Sequence, residues 1–205
     1  MRYSKEHKSE THAKIVRRAS IKLREKGAHG IGVADLMKEA GLTHGGFYAH
    51  FDSRDALVIE AVTHAMDRST ERWRKLTQRT APDKRLSKIV NSYLAADHRD
   101  DPGRGCAVPA LAAEIAREGA KTRRVFAGRM EQMIDMLAEQ YQGVPRKAAR
   151  KQATAALATM MGSLVMARVA GNGELSDEIL KSGRDAVLGA GPAAKKSPKR
   201  TTKAA

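Results

Sequence analysis

The 205-residue sequence predicts an all-α protein: a three-helix N-terminal helix-turn-helix module followed by a larger helical body, about nine helices together. Three observations predict it. Apolar residues recur at helical spacing through most of the chain, no stretch sustains the period-2 alternation of β-branched residues that marks a strand, and glycine or proline separates the periodic segments.

The elements follow in order. A first helix spans about Ser9 to Lys26, with Ile15, Val16, Ala19 and Leu23 on one face and Gly27 as its stop. A short second helix, Val33 to Ala40, stops at Gly41. A shorter third opens at Thr43, a suitable N-cap, and carries Phe47 and Phe51 one turn apart. Asp52 or Ser53 then caps a long fourth helix, striped by Leu57, Val58, Ala61, Val62, Ala65, Met66, Trp73 and Leu76. Pro82 breaks it. A helix from about Asp83 to Asp97 and a charged loop from His98 to Gly105 come next, then helices near 107–117 and 122–141. The second of these aligns Phe126, Met130, Met133, Ile134, Leu137 and Tyr141. After Gly143-Val-Pro145, helices near 146–170 and 176–188 finish the body, with Gly171-Asn-Gly173 between them. The predicted division is a helix-turn-helix domain at 1–54, a helical body at 55–190, and a basic tail at 191–205 too poor in apolar residues to order itself.

The formal charge is +15, which calls for a polyanionic partner. Residues 1–54 hold 11 Lys+Arg against 6 Asp+Glu, and the last 15 residues hold 5 against none, so charge density peaks at the two ends. The single cysteine, Cys106, excludes an internal disulfide and fits a reducing compartment. The N-terminus is polar and offers no signal peptide, so a cytoplasmic location is expected. The apolar run Ala153 to Ala167 falls short of the roughly 20 residues a membrane helix needs, and no membrane partner is expected. No nucleophile with its base, paired carboxylates, metal-ligand spacing or glycine-rich phosphate loop stands out, so neither an enzyme nor a cofactor is expected.

Function concentrates between Thr43 and Arg54. Three of the chain's eight aromatic residues fall at Phe47, Tyr48 and Phe51. On a two-turn helix Phe47 and Phe51 turn inward as anchors, leaving Thr43, His44, Gly46, Tyr48 and His50 outward. Paired glycines cost helix stability, about 1 kcal/mol each relative to alanine, but allow a backbone to approach DNA closely. Thr43, the free N–H groups of the first turn, the Tyr48 hydroxyl and the Arg54 guanidinium suit phosphate oxygens; His44 and His50 suit phosphates or base edges.

The string Gly41-Leu-Thr-His-Gly-Gly-Phe-Tyr-Ala-His-Phe-Asp-Ser-Arg-Asp-Ala-Leu57, preceded by Val33-Ala-Asp-Leu-Met-Lys-Glu-Ala40, resembles the DNA-binding motif of the TetR family of repressors. The resemblance implies that Thr43, His44, Tyr48, His50 and Arg54 contact DNA, mostly its backbone. It departs at Gly32, where the family usually carries a capping Thr or Ser, and at Arg54, which replaces a lysine and turns a point charge into a fork. It further implies a body that binds a small-molecule inducer and dimerises through its last two helices, here 146–170 and 176–188, where Ala156, Ala158, Gly162 and Ser163 permit close approach. The implied function is a ligand-responsive repressor released from a palindromic double-stranded DNA operator, acting as a homodimer.

Other readings stand beside these. Cys106 at a helix start near Arg104 is either a redox or electrophile sensor with a lowered pKa or an inert buried side chain. Phe126, Met130 and Met133 either line an inducer pocket or fill the core, as most methionines do. His98 with Asp97, Asp100 and Asp101 reads as a solvated loop, and His7 and His12 as exposed. The basic tail either strengthens nonspecific DNA attraction or only solubilises, and an architectural DNA-coating protein is the alternative to a specific regulator.

Overall fold

The computed structural model describes residues 5–189, which form nine α-helices and two 3-10 helices and no strand; the predicted tail at 191–205 lies outside the described residues. The helices are α1 (Lys5–Lys26), α2 (Val33–Glu39), α3 (Arg54–Gln78), α4 (Arg85–Tyr93), α5 (Ala96–Asp100), α6 (Ala107–Ile115), α7 (Ala120–Ala138), α8 (Arg146–Ala170) and α9 (Glu174–Gly189). The 3-10 helices are His44–Ala49 and Pro82–Lys84.

The anticipated stripes are the buried ones. Ile15, Val16, Ala19 and Leu23 of α1 face Leu57, Val58, Ala61 and Val62 of α3, and all are buried. Each fully buried Leu or Ile stabilises the fold by about 1.5–3 kcal/mol relative to exposure. Ser53 is the cap of α3, its hydroxyl accepting the Ala56 N–H at 3.1 Å. Helix α3 is the common spine, packed on α1, α4, α6 and α7, and one apolar core runs through the molecule along it.

The single helix expected over 83–97 is divided. Pro82–Lys84 is a 3-10 turn, α4 ends at Tyr93 with Leu94 as its C-cap, and extended backbone at Ala95 starts α5, which takes in His98 and Arg99. The carbonyls freed at the break find side-chain donors, as helix ends require: Arg184 of α9 donates to Leu94, and His98 Nδ1 meets the Tyr93 carbonyl at 2.7 Å. The solvated loop expected from His98 is therefore corrected. His98 and Arg99 are each only 8 % exposed. Arg99 donates to Ser176 at 2.9 Å and Asp177 at 3.1 Å, and Arg168 donates to the His98 carbonyl at 2.8 Å. These bonds fix α5 against α8 and α9.

Helices α8 and α9 form an antiparallel hairpin turned at Gly171. At 25 residues α8 is long and apolar enough by composition to cross a membrane, which the 15-residue apolar run did not anticipate. One face of it, Ala153, Leu157, Met160 and Leu164, is buried in the protein core, while Met166 and Val169 are exposed.

Candidate nucleic-acid interface

The site is built on the turn after α2. Gly41, at φ +74°, lets that helix close with paired bonds, Leu42 N–H to the Met37 carbonyl and Gly41 N–H to the Lys38 carbonyl, both 2.9 Å. This left-handed stop is a position glycine fills without the Cβ penalty. It folds Leu42 back toward α2 and sends Thr43 out in extended conformation to begin His44–Ala49. Thr43 makes no side-chain cap, so its hydroxyl is left to other partners. Gly32 caps α2 with backbone alone.

The third helix is 3-10, with i to i+3 bonds such as Gly46 N–H to Thr43 at 3.1 Å and His50 N–H to Phe47 at 2.9 Å. Phe47 and Phe51 are the anchors, 1 % and 3 % exposed, with rings 5.5 Å apart. His12 of α1 stacks on Phe51 at 4.5 Å and reaches Glu60 of α3 at 2.7 Å, so the expectation of a solvent-exposed His12 is corrected. It lies three residues before Ile15, and extending the apolar face of α1 one turn backward would have found it.

Thr43, His44 and Tyr48 are exposed together. Tyr48 is 71 % exposed while its ring edge rests on Phe47 at 5.2 Å, which holds the hydroxyl outward. Gly45 has nothing within 4 Å of where a Cβ would sit, and neither Gly45 nor Gly46 has positive φ. Internal packing does not demand glycine at 45. The outward placement expected for Gly46 and His50 is corrected: both are half-buried. Gly46 lies against the Met37 methyl, 3.7 Å from a Cβ position. In a 3-10 helix residues i and i+3 eclipse, so His50 follows Phe47 toward the core. Its Nδ1 is buried without a partner, and burial first, then His12 and Lys8, lowers its pKa. Arg54 is half-buried, and its guanidinium donates to the Ala28 carbonyl in the α1–α2 loop.

In the body, Cys106 is the residue before α6 and is 3 % exposed. Burial pushes its thiol pKa up, opposite to the lowering expected of a reactive sensor. It borders a cavity of about 10 Å³ with Ser69, Trp73, Tyr93 and His98, about the least that holds one water. The Cys106 N–H donates to His98 Nε2 at 2.9 Å, which leaves the proton on Nδ1 to donate to Tyr93. Burial lowers the His98 pKa to about 4 and raises that of Tyr93 well above its usual value. Phe126 and Met133 are buried in the core and Met130 packs partly against it. The cavity lining joins Cys106 to Tyr93 and His98 and does not include those three. Among the described residues no group of three or more His, Cys, Asp or Glu is placed to hold a metal.

Residues 15–61 match the family model described as bacterial regulatory proteins, tetR family, and residues 82–180 match that of the transcriptional regulator LmrA/YxaF-like C-terminal domain. Uncharacterized HTH-type transcriptional regulators of Mycobacterium tuberculosis strains H37Rv and CDC 1551 are 24% identical over 164 residues, covering 76% of this chain and 83% of theirs. The fold is similar to that of E. coli NemR in its reduced form, with TM-score 0.76 and 20% identity over 90% of this chain and 99% of that one. A TetR family regulator from Cytophaga hutchinsonii gives TM-score 0.76 and 20% identity, covering 92% and 98%.

Proposed function

The chain belongs to the TetR family of DNA-binding transcriptional regulators, and from that premise we propose that it is a cytoplasmic homodimeric repressor released from a palindromic operator by a small-molecule inducer. The observation that carries the DNA-facing part is the exposed edge of Thr43, His44 and Tyr48 on a helix anchored by Phe47 and Phe51. Thr43 and Tyr48 bind phosphate oxygens, His44 reaches a base edge, and Gly45 with Gly46 lets the backbone come close. Arg54 and His50 act mainly by positioning: Arg54 holds the Ala28 carbonyl and His50 packs beside Phe51. The working division is a reading head at 1–54 and a body at 55–190.

Dimerisation is supported by exposed apolar side chains on α8 and at the start of α9: Met166 at 59 %, Val169 at 85 % and Leu175 at 61 %. Two such faces brought together form a four-helix contact and place two reading heads in successive major grooves, about 34–36 Å apart. An inducer acts by preferring the state in which that spacing is wrong, since differential affinity alone shifts such an equilibrium.

The test is Tyr48→Phe, measured by fluorescence anisotropy against the DNA upstream of its own gene and a random duplex. Loss of a hydrogen bond to a charged phosphate weakens both by about tenfold. Unchanged binding across several salt concentrations removes Tyr48 from the interface.

A further inference from the structure

A cleft of about 640 Å³ opens between the C-terminal half of α3 and α4. Its volume is that of a small-molecule site, roughly 300–1,000 Å³. Arg68, Arg72, Lys75, Arg79 and Lys88 line it against a single carboxylate, Glu71. Several other cations of the body are paired: Arg150 with Glu131 and Asp135, Arg129 with Asp67, Arg99 with Asp100 and Asp177. In the cleft Lys75 approaches Glu71 only to 3.7 Å, and Arg74 already holds that carboxylate at 2.5 Å. Among the described residues the side chains of Arg68, Arg79 and Lys88 have no ion pair or hydrogen bond.

The surplus of positive charge reaches α1. Arg24 is 6 % exposed; its Nε donates to the Gly103 carbonyl at 3.0 Å, while its Nη1 is buried without a partner. Burial above all, with repulsion from Arg68 and Arg72, brings its pKa down to about 10. His64 of α3 also buries an unpartnered Nε2 and is held low by burial, Arg68, Arg24 and Arg17. Arg24 and His64 do not line the cleft, but the like charges that do repel one another, and an anion placed among them removes that cost.

We propose that this cleft binds a small, multiply charged anion, an organic phosphate or a polycarboxylate. Arg68, Arg72, Arg79 and Lys88 supply the charge, and the two guanidiniums on α3 supply planar forks for paired oxygens. Arg72 also connects the cleft to the reading head. It donates to the Arg104 carbonyl at 3.0 Å, next to the Gly103 carbonyl held by Arg24 of α1. An anion that draws Arg72 into the cleft releases Arg104 and alters the seating of α1. This names a chemical class for the effector, and for its action on DNA it rests on the ligand-responsive reading above; occupancy of the cleft does not.

Isothermal titration of the full-length protein at constant ionic strength tests it, with inorganic pyrophosphate and citrate as probes. The wild type takes up one equivalent per protomer, and Arg79→Ala with Lys88→Ala weakens that binding by about tenfold or more. Removing the same charge from exposed positions on α7, Lys121→Ala with Arg124→Ala, changes it by less than about twofold. Preference for pyrophosphate assigns the site to phosphate esters, and preference for citrate assigns it to polycarboxylates. No saturable binding of either probe, or equal weakening by both pairs of substitutions, overturns the site. So does loss of random-duplex affinity in the cleft variant without any small-anion binding, which makes the cleft part of a nucleic-acid surface. Saturable binding that leaves affinity for the upstream DNA unchanged keeps the site and removes its role as effector.

Discussion

His98 joins one histidine to the stability of the body. Its two ring nitrogens are committed, Nδ1–H to the Tyr93 carbonyl and Nε2 to the Cys106 N–H, which only the neutral ring satisfies. The folded pKa, about 4, lies below the unfolded value near 6.5, so the unfolded chain binds the proton more readily. The contribution is fully present above about pH 6.5 and is lost as pH falls toward 4. Its order of magnitude is 3 kcal/mol. Urea midpoints of the wild type therefore fall over that window more steeply than those of His98→Gln, whose amide offers the same donor and acceptor without titrating. Parallel slopes contradict the assignment. Cys106, buried beside it, reacts with a thiol reagent such as DTNB only on unfolding; prompt modification of the native protein restores the sensor reading. The anchors Phe47 and Phe51 were legible from their spacing alone. The inward turns of His12, His50 and His98 were not, because histidine suits water and core alike and only packing partners decide its side.

Among elements, the α8–α9 hairpin is the most closely packed. A Cβ on Gly183 would lie 2.3 Å from Ser163 Oγ and 2.7 Å from Ser163 Cβ, so the two helices meet through this pair. Gly183→Ala forces them apart and destabilises the protein by about 1–3 kcal/mol despite alanine's better helix propensity, read as a lowered Tm. An unchanged or raised Tm shows that the hairpin yields there. The helical periods, the Gly41 stop and the long apolar stripe of α3 were readable because they depend on local spacing. The break at Leu94–Ala95 was not: residues 83–97 continue a helical pattern, and the carbonyls that end α4 are satisfied by Arg184, 90 residues away in sequence. The 3-10 form of His44–Ala49 was also hidden, since glycine pairs weaken an α-helix without naming its replacement.

At the scale of the whole molecule, a net charge of +15 favours steeply salt-dependent attraction to any DNA, so the proposed regulator draws its selectivity from the short exposed edge and from the spacing of two heads. Val169→Asp, at the most exposed apolar position of α8, is expected to convert the proposed dimer to monomer in sedimentation velocity and to weaken operator binding; a dimer that persists relocates the interface. The most direct test of a selective regulator is competition. Labelled duplex from upstream of its own gene is bound at physiological salt and challenged with random duplex. Retained binding at about a thousandfold excess of competitor is the predicted result. Displacement at equal concentration contradicts it and makes the protein an architectural DNA-coating one.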